Sequence, residues 1–404
     1  MADRHVDVLL IGGGAASHAC AAALLERGFD GSVLLVGREL DPPYDRPPCS
    51  KEYLRGAKAR ADLLLPALDG VEVLTRTSVL KLDPGARVAR LSTKDEVSYG
   101  QALIATGANV RRLPVDGAQL DGIHYLRAPG NADAIRADAE AGWGDEVVVV
   151  GGSYLGTELA ASLTALGKRV TVLMLEDVPL ERAYGRRVGE WFQALMEGHG
   201  VRFVGGDQLA GFVGDDEERV TAVRTAAGLE LPARMVVVAA GAVPDVMLAK
   251  GAGLEIGPLG GVRCDAALRV HGAEGLWAAG DMCEWDSVLH RGPARVEHWE
   301  LAVAHGRTVA AGMAGEPVEH AVVPYFWSDV GDWATSEFVG VAGADAWEQE
   351  VLRGSLADGA FSVFGLRGGR VVGAVSVGRG EDLDEARRLI ASGEAVDAAS
   401  LEAG

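Results

Sequence analysis

Two glycine-rich loops, each set between an apolar strand-forming run and a helix-forming run, constrain this chain more than any other feature. The first is Gly12-Gly13-Gly14-Ala15-Ala16-Ser17. Asp7 to Ile11 precede it as a β-prone run, AASHACAAALLERG follows as a helix closed by Gly28, and GSVLLVG at 31–37 is a second buried strand. The second is Gly151-Gly152-Ser153-Tyr154-Leu155-Gly156, between EVVVVGG at 146–152 and a helix through Leu159 to Leu166 that Gly167 stops, with KRVTVLML at 168–175 as the next strand. A strand, a glycine turn, a helix and a second strand within some 30 residues is the context a dinucleotide-binding fingerprint requires. Its repetition in one chain points to two mononucleotide-binding units of like architecture.

The chemistry of each loop follows from its small residues. Gly12 supplies the tight turn, Gly14 lets backbone approach a pyrophosphate, and the helix beginning at Ala15 and Ala16 offers unpaired N–H groups to it. Ser17 stands where Gly or Ala is usual and is small enough for close helix packing. Glu39, after the second strand, is the acid expected to bind ribose hydroxyls. In the second loop Ser153 occupies the position nearest a pyrophosphate, where its hydroxymethyl either fits or hydrogen-bonds the phosphate. Glu176 ends the following strand and favours a free ribose 2′-hydroxyl. Arg182, Arg186 and Arg187 offer an alternative, contact with a 2′-phosphate, so the spacing leans towards NADH and leaves NADPH open.

Composition excludes other classes. Among 404 residues, 38 Lys and Arg face 58 Asp and Glu, a formal charge of −20, and 48% are hydrophobic. That is a globular protein of two or three domains whose long-range field repels nucleic acid and anionic membrane. The four cysteines, at 20, 49, 264 and 283, form no CxxC, zinc spacing or disulfide framework, which fits a reducing cytoplasm and no metal. The only long uncharged stretch, Val8 to Leu25, is broken by three glycines, Ser17 and His18, so it reads as strand, turn and helix and not as a membrane span.

Other segments complete the plan. DPPYDRPPCSKEYLRG at 41–56 has too much proline in its first half for a regular element. YGQALIATG at 99–107, ARMVVVAAG at 233–241 and GLWAAGD at 275–281 are buried strands that run into small-residue turns. From about 321 onward, alternating runs predict an antiparallel sheet and then a helix around Leu383 to Ser392. The expected class is α/β: two Rossmann-like dinucleotide-binding domains plus an α+β C-terminal domain. The expected boundaries are 1–110 with 240–320 for the first, split by insertion of 111–239 for the second, and 321–404 for the third.

The two loops, Ala105-Thr106-Gly107, the late Gly280-Asp281 and above all PYDRPPCSK at 43–51 resemble the FAD-dependent pyridine-nucleotide oxidoreductases of glutathione-reductase-like fold. Within them the chain is most similar to NADH:ferredoxin reductases of the putidaredoxin-reductase type, which share architecture with apoptosis-inducing factor. GTELAASL at 156–163, RVEHWELAVAHG at 295–306 and YFWSD at 325–329 carry the same resemblance, which covers essentially the whole chain. It implies that the first loop, Glu39 and Ala105 to Gly107 bind FAD, with Arg46 and Lys51 approaching from the proline-rich segment and Asp281 binding the ribityl chain. His298, Trp299, Phe326 and Trp327 would bring aromatic surface to the flavin. Lys51 would lie near flavin N5, paired with Glu158, a cation placed to stabilise an electron-rich reduced flavin. The second loop, Glu158 and Glu176 would bind NAD.

The implied function is electron transfer from NADH through FAD to a small iron–sulfur ferredoxin serving an oxygenase or a cytochrome monooxygenase, by a cytoplasmic monomer or homodimer. Arg46, Lys51, Arg55, Lys58 and Arg60 would supply a local basic docking face. Cys49 stands where the resemblance expects leucine. It opens a rival reading, an NAD(P)H oxidase or peroxide reductase using that thiol. A second rival is a redox-sensitive binding module like apoptosis-inducing factor.

Overall fold

The computed structural model describes residues 4–402, which form two compact units. The first is built from the segments up to Asp45, Leu63–Asn109 and Val243–Phe326. Its main sheet runs, edge to edge, through Val71–Leu74, Val33–Val36, Arg4–Ile11 and Glu96–Ile104, all parallel, and continues antiparallel through Val88–Leu91 and Val79–Asp83. Leu276–Ala278 pairs in parallel with the far half of Glu96–Ile104, Leu276 opposite Ala102 and Ala278 opposite Ile104. Val8 to Ile11 and all of VLLV at 33–36 are buried, the continuous apolar run that a parallel sheet covered on both faces demands. Two helices, Ala15–Glu26 and Trp299–Met313, pack against each other beside it.

The second unit comprises Arg46–Asp62, Val110–Ala242 and the chain from Trp327 onward. Its parallel sheet has the order Arg202–Val204, Arg169–Leu173, Glu146–Val150, Met235–Val238, Ile123–Tyr125. A three-stranded antiparallel sheet, Leu209–Gly214, Val220–Thr225 and Glu230–Pro232, adjoins it. The C-terminal five-stranded sheet has the order Tyr325–Val330, Ala334–Gly340, Arg370–Val377, Ala360–Arg367, Gln349–Ser355, and the helix Asp382–Ser392 packs on it.

The grouping departs from the expected three domains: the expected second domain and most of the expected C-terminal domain fall in one compact unit, and one further segment changes sides. Arg46–Asp62, predicted as part of the first dinucleotide domain, belongs to the second compact unit. Side chains explain it: Tyr53 Oη donates to Asp133 at 2.7 Å, Arg60 pairs with Asp133 at 2.9 Å, and Ser162 Oγ donates to the Ser50 carbonyl at 2.6 Å. Such long-range hydrogen bonds are invisible to a reading of local pattern.

Candidate functional site

The two glycine loops are built on one plan. Gly12 N–H donates to the Val36 carbonyl and Gly151 N–H to that of Leu173, both at 2.8 Å, carrying each chain from the sheet edge into its loop. Gly12 has φ +123° and Gly151 +119°. A Cβ at Gly12 would lie 2.0 Å from the Ala105 carbonyl oxygen, and one at Gly151 would lie 2.4 Å from that of Ala239. Only glycine fits either position.

In the first loop the helix Ala15–Glu26 has Gly14 as its N-cap, without a side-chain cap, and a Cβ added at Gly14 would meet nothing within 4 Å. Uncapped N–H groups facing open space are a cradle for an anion, so this loop fits the pyrophosphate of a dinucleotide. Ala15, Ala16 and Ser17 are buried, and Ser17 Oγ has no protein partner. Serine therefore serves here for its size. Gly13 packs on Gly37 at the end of the second strand. Just beyond, Tyr44 Oη donates to Glu39 at 2.5 Å and orients the carboxylate expected at the ribose. Thr106 Oγ1 donates to the Asp245 carbonyl at 2.6 Å, and Gly107, at φ +70°, accepts from Asp245 N–H at 2.8 Å. Asp281 sits half-buried in the short turn Gly280–Met282, and Arg295 donates to its backbone carbonyl at 3.1 Å.

Of the four aromatic residues expected at the flavin, two are in ring contact. The His298 and Phe326 rings lie 4.2 Å apart, and burial pushes the His298 imidazole down to about 4, so it is neutral at physiological pH. Phe326 is buried with Ser328 and Val330 on one side of its strand, whereas Trp327 alternates to the other and is half-buried, as is Trp299. Phe326 and Trp327 therefore leave opposite faces of the strand.

The second loop has tighter packing. A Cβ at Gly152 would meet Met174 Sδ at 2.4 Å, and one at Gly156 the Gly151 carbonyl oxygen at 1.9 Å. Ser153 is exposed at the N-cap of the helix Tyr154–Ala165 and makes no side-chain cap, so its hydroxymethyl is free for a phosphate. Glu176 is paired with Arg182 at 2.8 Å, while Arg186 binds Asp177 at 2.9 Å and Glu190 at 3.1 Å. Two of the three arginines that offered a 2′-phosphate contact are thus matched by carboxylates.

The helix starts at Tyr154, earlier than the Leu159 expected from its apolar run. Glu158 is consequently beyond the first turn, where the helix dipole contributes little. What holds it is a buried ion pair: Lys51 Nζ lies 2.8 Å from Glu158 Oε1, with side chains 8% and 9% exposed. Ser328 Oγ donates to Oε1 at 2.7 Å and Ser50 Oγ to Oε2 at 2.5 Å. Both carboxylate oxygens are satisfied, the condition under which a buried charge is tolerated. A second Lys51 N–H lies only 3.5 Å from the Pro47 carbonyl, leaving donor capacity on the ammonium. Ser50 and Ser328 both lie in quoted motifs, PYDRPPCSK and YFWSD, but a serine beside a lysine or a tryptophan carries no spacing signal of its own. Their roles emerge only from the fold.

Four of the five cations expected to form a basic face are held by neighbours. Arg46 donates to the Arg127 carbonyl, Lys51 is committed to Glu158, Arg55 pairs with Asp332 at 3.1 Å and Arg60 with Asp133. Cys49 is 3% exposed within the 3-10 turn Pro47–Ser50. Among the described residues the four cysteines are buried and form no disulfide, no group of three or more His, Cys, Asp or Glu could hold a metal ion, and no helix is long and apolar enough to cross a membrane.

Comparison with known proteins places these features in a lineage. Residues 6–306 match the pyridine nucleotide-disulphide oxidoreductase family and 325–403 match the reductase C-terminal family. Rhodocoxin reductase from Rhodococcus erythropolis is 33% identical over 96% of this chain and 90% of its own. The ferredoxin reductase component of chlorobenzene dioxygenase from a Cupriavidus strain is 34% identical over 98% and 94%. Among solved structures, the covalent putidaredoxin reductase–putidaredoxin complex superposes with a TM-score of 0.91 at 29% identity, covering 100% of this chain and 96% of that one. Two dinucleotide loops of one construction, a buried lysine–glutamate pair and likeness along the whole chain lead to one conclusion: the chain belongs to the pyridine nucleotide-disulphide oxidoreductase family.

Proposed function

We propose that this chain is an FAD-dependent NADH:ferredoxin reductase that delivers electrons to a small iron–sulfur ferredoxin serving an oxygenase. The observation that carries the reading is the end-to-end likeness to ferredoxin reductases, C-terminal segment included. FAD supplies the exchange between a two-electron hydride donor and a one-electron acceptor. The chain's contribution is position and charge. The first loop with Glu39, Ala105 to Gly107 and Asp281 holds FAD, with Arg46 and the aromatic residues His298, Trp299 and Trp327 beside it. The second loop, Gly151 to Gly156 with Glu176, holds the nicotinamide nucleotide. Lys51 presents its ammonium to the flavin, and Glu158, fastened by Ser50 and Ser328, keeps that ammonium in one place. NADH is favoured over NADPH because Arg182 and Arg186 are engaged by acids. The enzyme works in the cytoplasm as a monomer or homodimer.

The test is anaerobic titration of the purified protein with NADH and NADPH, followed by transfer assays against several ferredoxins. A yellow protein reduced by NADH that passes electrons to a ferredoxin supports the reading. A colourless protein that refuses FAD, or a reduced one that passes electrons to no ferredoxin, overturns it. Cys49→Ala separates the thiol rival. Burial of the thiol supports ferredoxin reduction surviving within about twofold, well short of the factor of 10 that each 1.36 kcal/mol of barrier carries. Loss of more than tenfold would establish a redox cysteine.

A further inference from the structure

Three parts of the first unit meet at one point, and a histidine absent from the proposed site occupies it. The helix Trp299–Met313 crosses the helix Ala15–Glu26 so closely at Gly306 that a Cβ there would lie 2.2 Å from the Ala16 carbonyl oxygen and 2.9 Å from Cys20 N. Gly280, immediately before Asp281, has φ +73° and fits the notch between the helices, where its Cβ would be 3.6 Å from Ala302 Cβ and 3.8 Å from Ala16 Cβ. His305, the neighbour of Gly306, is fully buried, and its Nδ1 accepts the Gly280 N–H at 3.2 Å.

An Nδ1 that accepts cannot carry a proton, so His305 is a neutral imidazole with its hydrogen on Nε2. Two other rings enclose it. Trp285 packs edge-on at 4.7 Å between centroids and His320 at 4.4 Å. Thr308 donates its hydroxyl to the Ala304 carbonyl at 3.1 Å, so at 2.9 Å it accepts from His320 Nδ1, which fixes the second tautomer. Burial pushes His305 well below its ordinary value and His320 down to about 4, keeping both uncharged at neutral pH.

We propose that His305 is a positioning residue for the FAD site: through Nδ1 it fixes the Gly280–Asp281 turn against the first turn of the glycine-loop helix, so that Asp281 meets the cofactor in one orientation. This rests on Asp281 being a ligand of FAD, as proposed above. A purely space-filling role makes the opposite prediction, and two variants tell them apart. His305→Asn keeps an acceptor oxygen where Nδ1 stood and gives up the ring. His305→Phe keeps the ring and gives up the acceptor.

FAD affinity is read by titrating each apoprotein with the cofactor, following flavin fluorescence, with apoprotein melting as the control for folding. His305→Asn should bind FAD within about threefold of the parent and His305→Phe about tenfold or more weaker, the worth of one buried hydrogen bond left unmade. Equal affinities, or the Phe variant binding more tightly than the Asn variant, overturn the proposal. Should the Phe variant not fold, the Asn variant decides alone, and a tenfold loss there refutes it. Asp281→Ala is measured beside them. Unchanged FAD affinity in that variant refutes the ligand assignment itself, whatever the His305 variants do.

Discussion

Glu158 shows what a residue's chemistry gains from its surroundings. Its sequence context, the early part of a helix, suits a solvated carboxylate near positive N–H groups as well as it suits a functional one. The structure removes the first reading by burying the carboxylate and spending both oxygens on Lys51, Ser50 and Ser328. Replacing Glu158 by Gln leaves an acceptor for one serine but strips the ammonium of its counter-charge in a site it cannot leave for water. Stability should fall by about 3 kcal/mol or more, the usual cost of an uncompensated buried charge. Urea denaturation of the parent and variant measures it, and a loss below about 1 kcal/mol would mean that Lys51 is solvated, as exposed ion pairs are. The double variant Lys51→Met, Glu158→Gln should recover part of the loss, because no charge is then stranded.

At the scale of elements, the recurring device is a glycine that lets backbone touch backbone. Gly156 is the clearest case, lying against the Gly151 carbonyl in the first turn of its helix. Gly156→Ala must push the helix Tyr154–Ala165 away from the loop, displacing the N–H groups meant for the nicotinamide nucleotide. The expected outcome is a KM for NADH raised about tenfold or more with FAD content unchanged, since the first loop is a separate construction. Steady-state kinetics with an artificial acceptor, beside the flavin absorbance of the purified protein, checks both halves. Loss of FAD together with NADH binding would contradict the independence of the two loops.

For the whole molecule, the buried imidazoles of the first unit make stability depend on pH. His320 titrates near 4 when folded and His305 is held well below its ordinary value by burial, against about 6.5 in an unfolded chain. Between those values the unfolded state binds more protons, so the stabilisation is complete above about pH 6.5 and drains away as the pH falls towards 4. Asp138 and Asp382, both held below the ordinary carboxylate value, add their losses only at lower pH. Melting temperatures recorded from about pH 7 down to about pH 4.5 should decline, and His320→Gln should flatten the decline by removing one of the groups that must charge on unfolding. A parent curve that stays level across this window would show that these rings are hydrated when folded.

What could be learned from sequence and what required the fold divide along the range of the interactions. The glycine loops, the strands feeding them and the C-terminal run of alternating residues are legible because each is a local pattern: apolar periodicity, a φ that only glycine adopts, a stop after a helix. The class of protein and its two nucleotides follow from those patterns and from motifs such as PYDRPPCSK. The C-terminal Tyr325–Val330 strand shows the limit, since its motif names Phe326, Trp327 and Ser328 together but only pleating decides which faces which way. The attachment of Arg46–Asp62 to the second unit, the serines gripping Glu158, the pairing of Arg55 and Arg60 with acids, and the seat of Gly280 on His305 join residues 25 to 277 positions apart. No periodicity connects such positions. They are brought together by burial of the sheets and helices that carry them, and hydrogen bonds then form because polar groups buried without partners are costly.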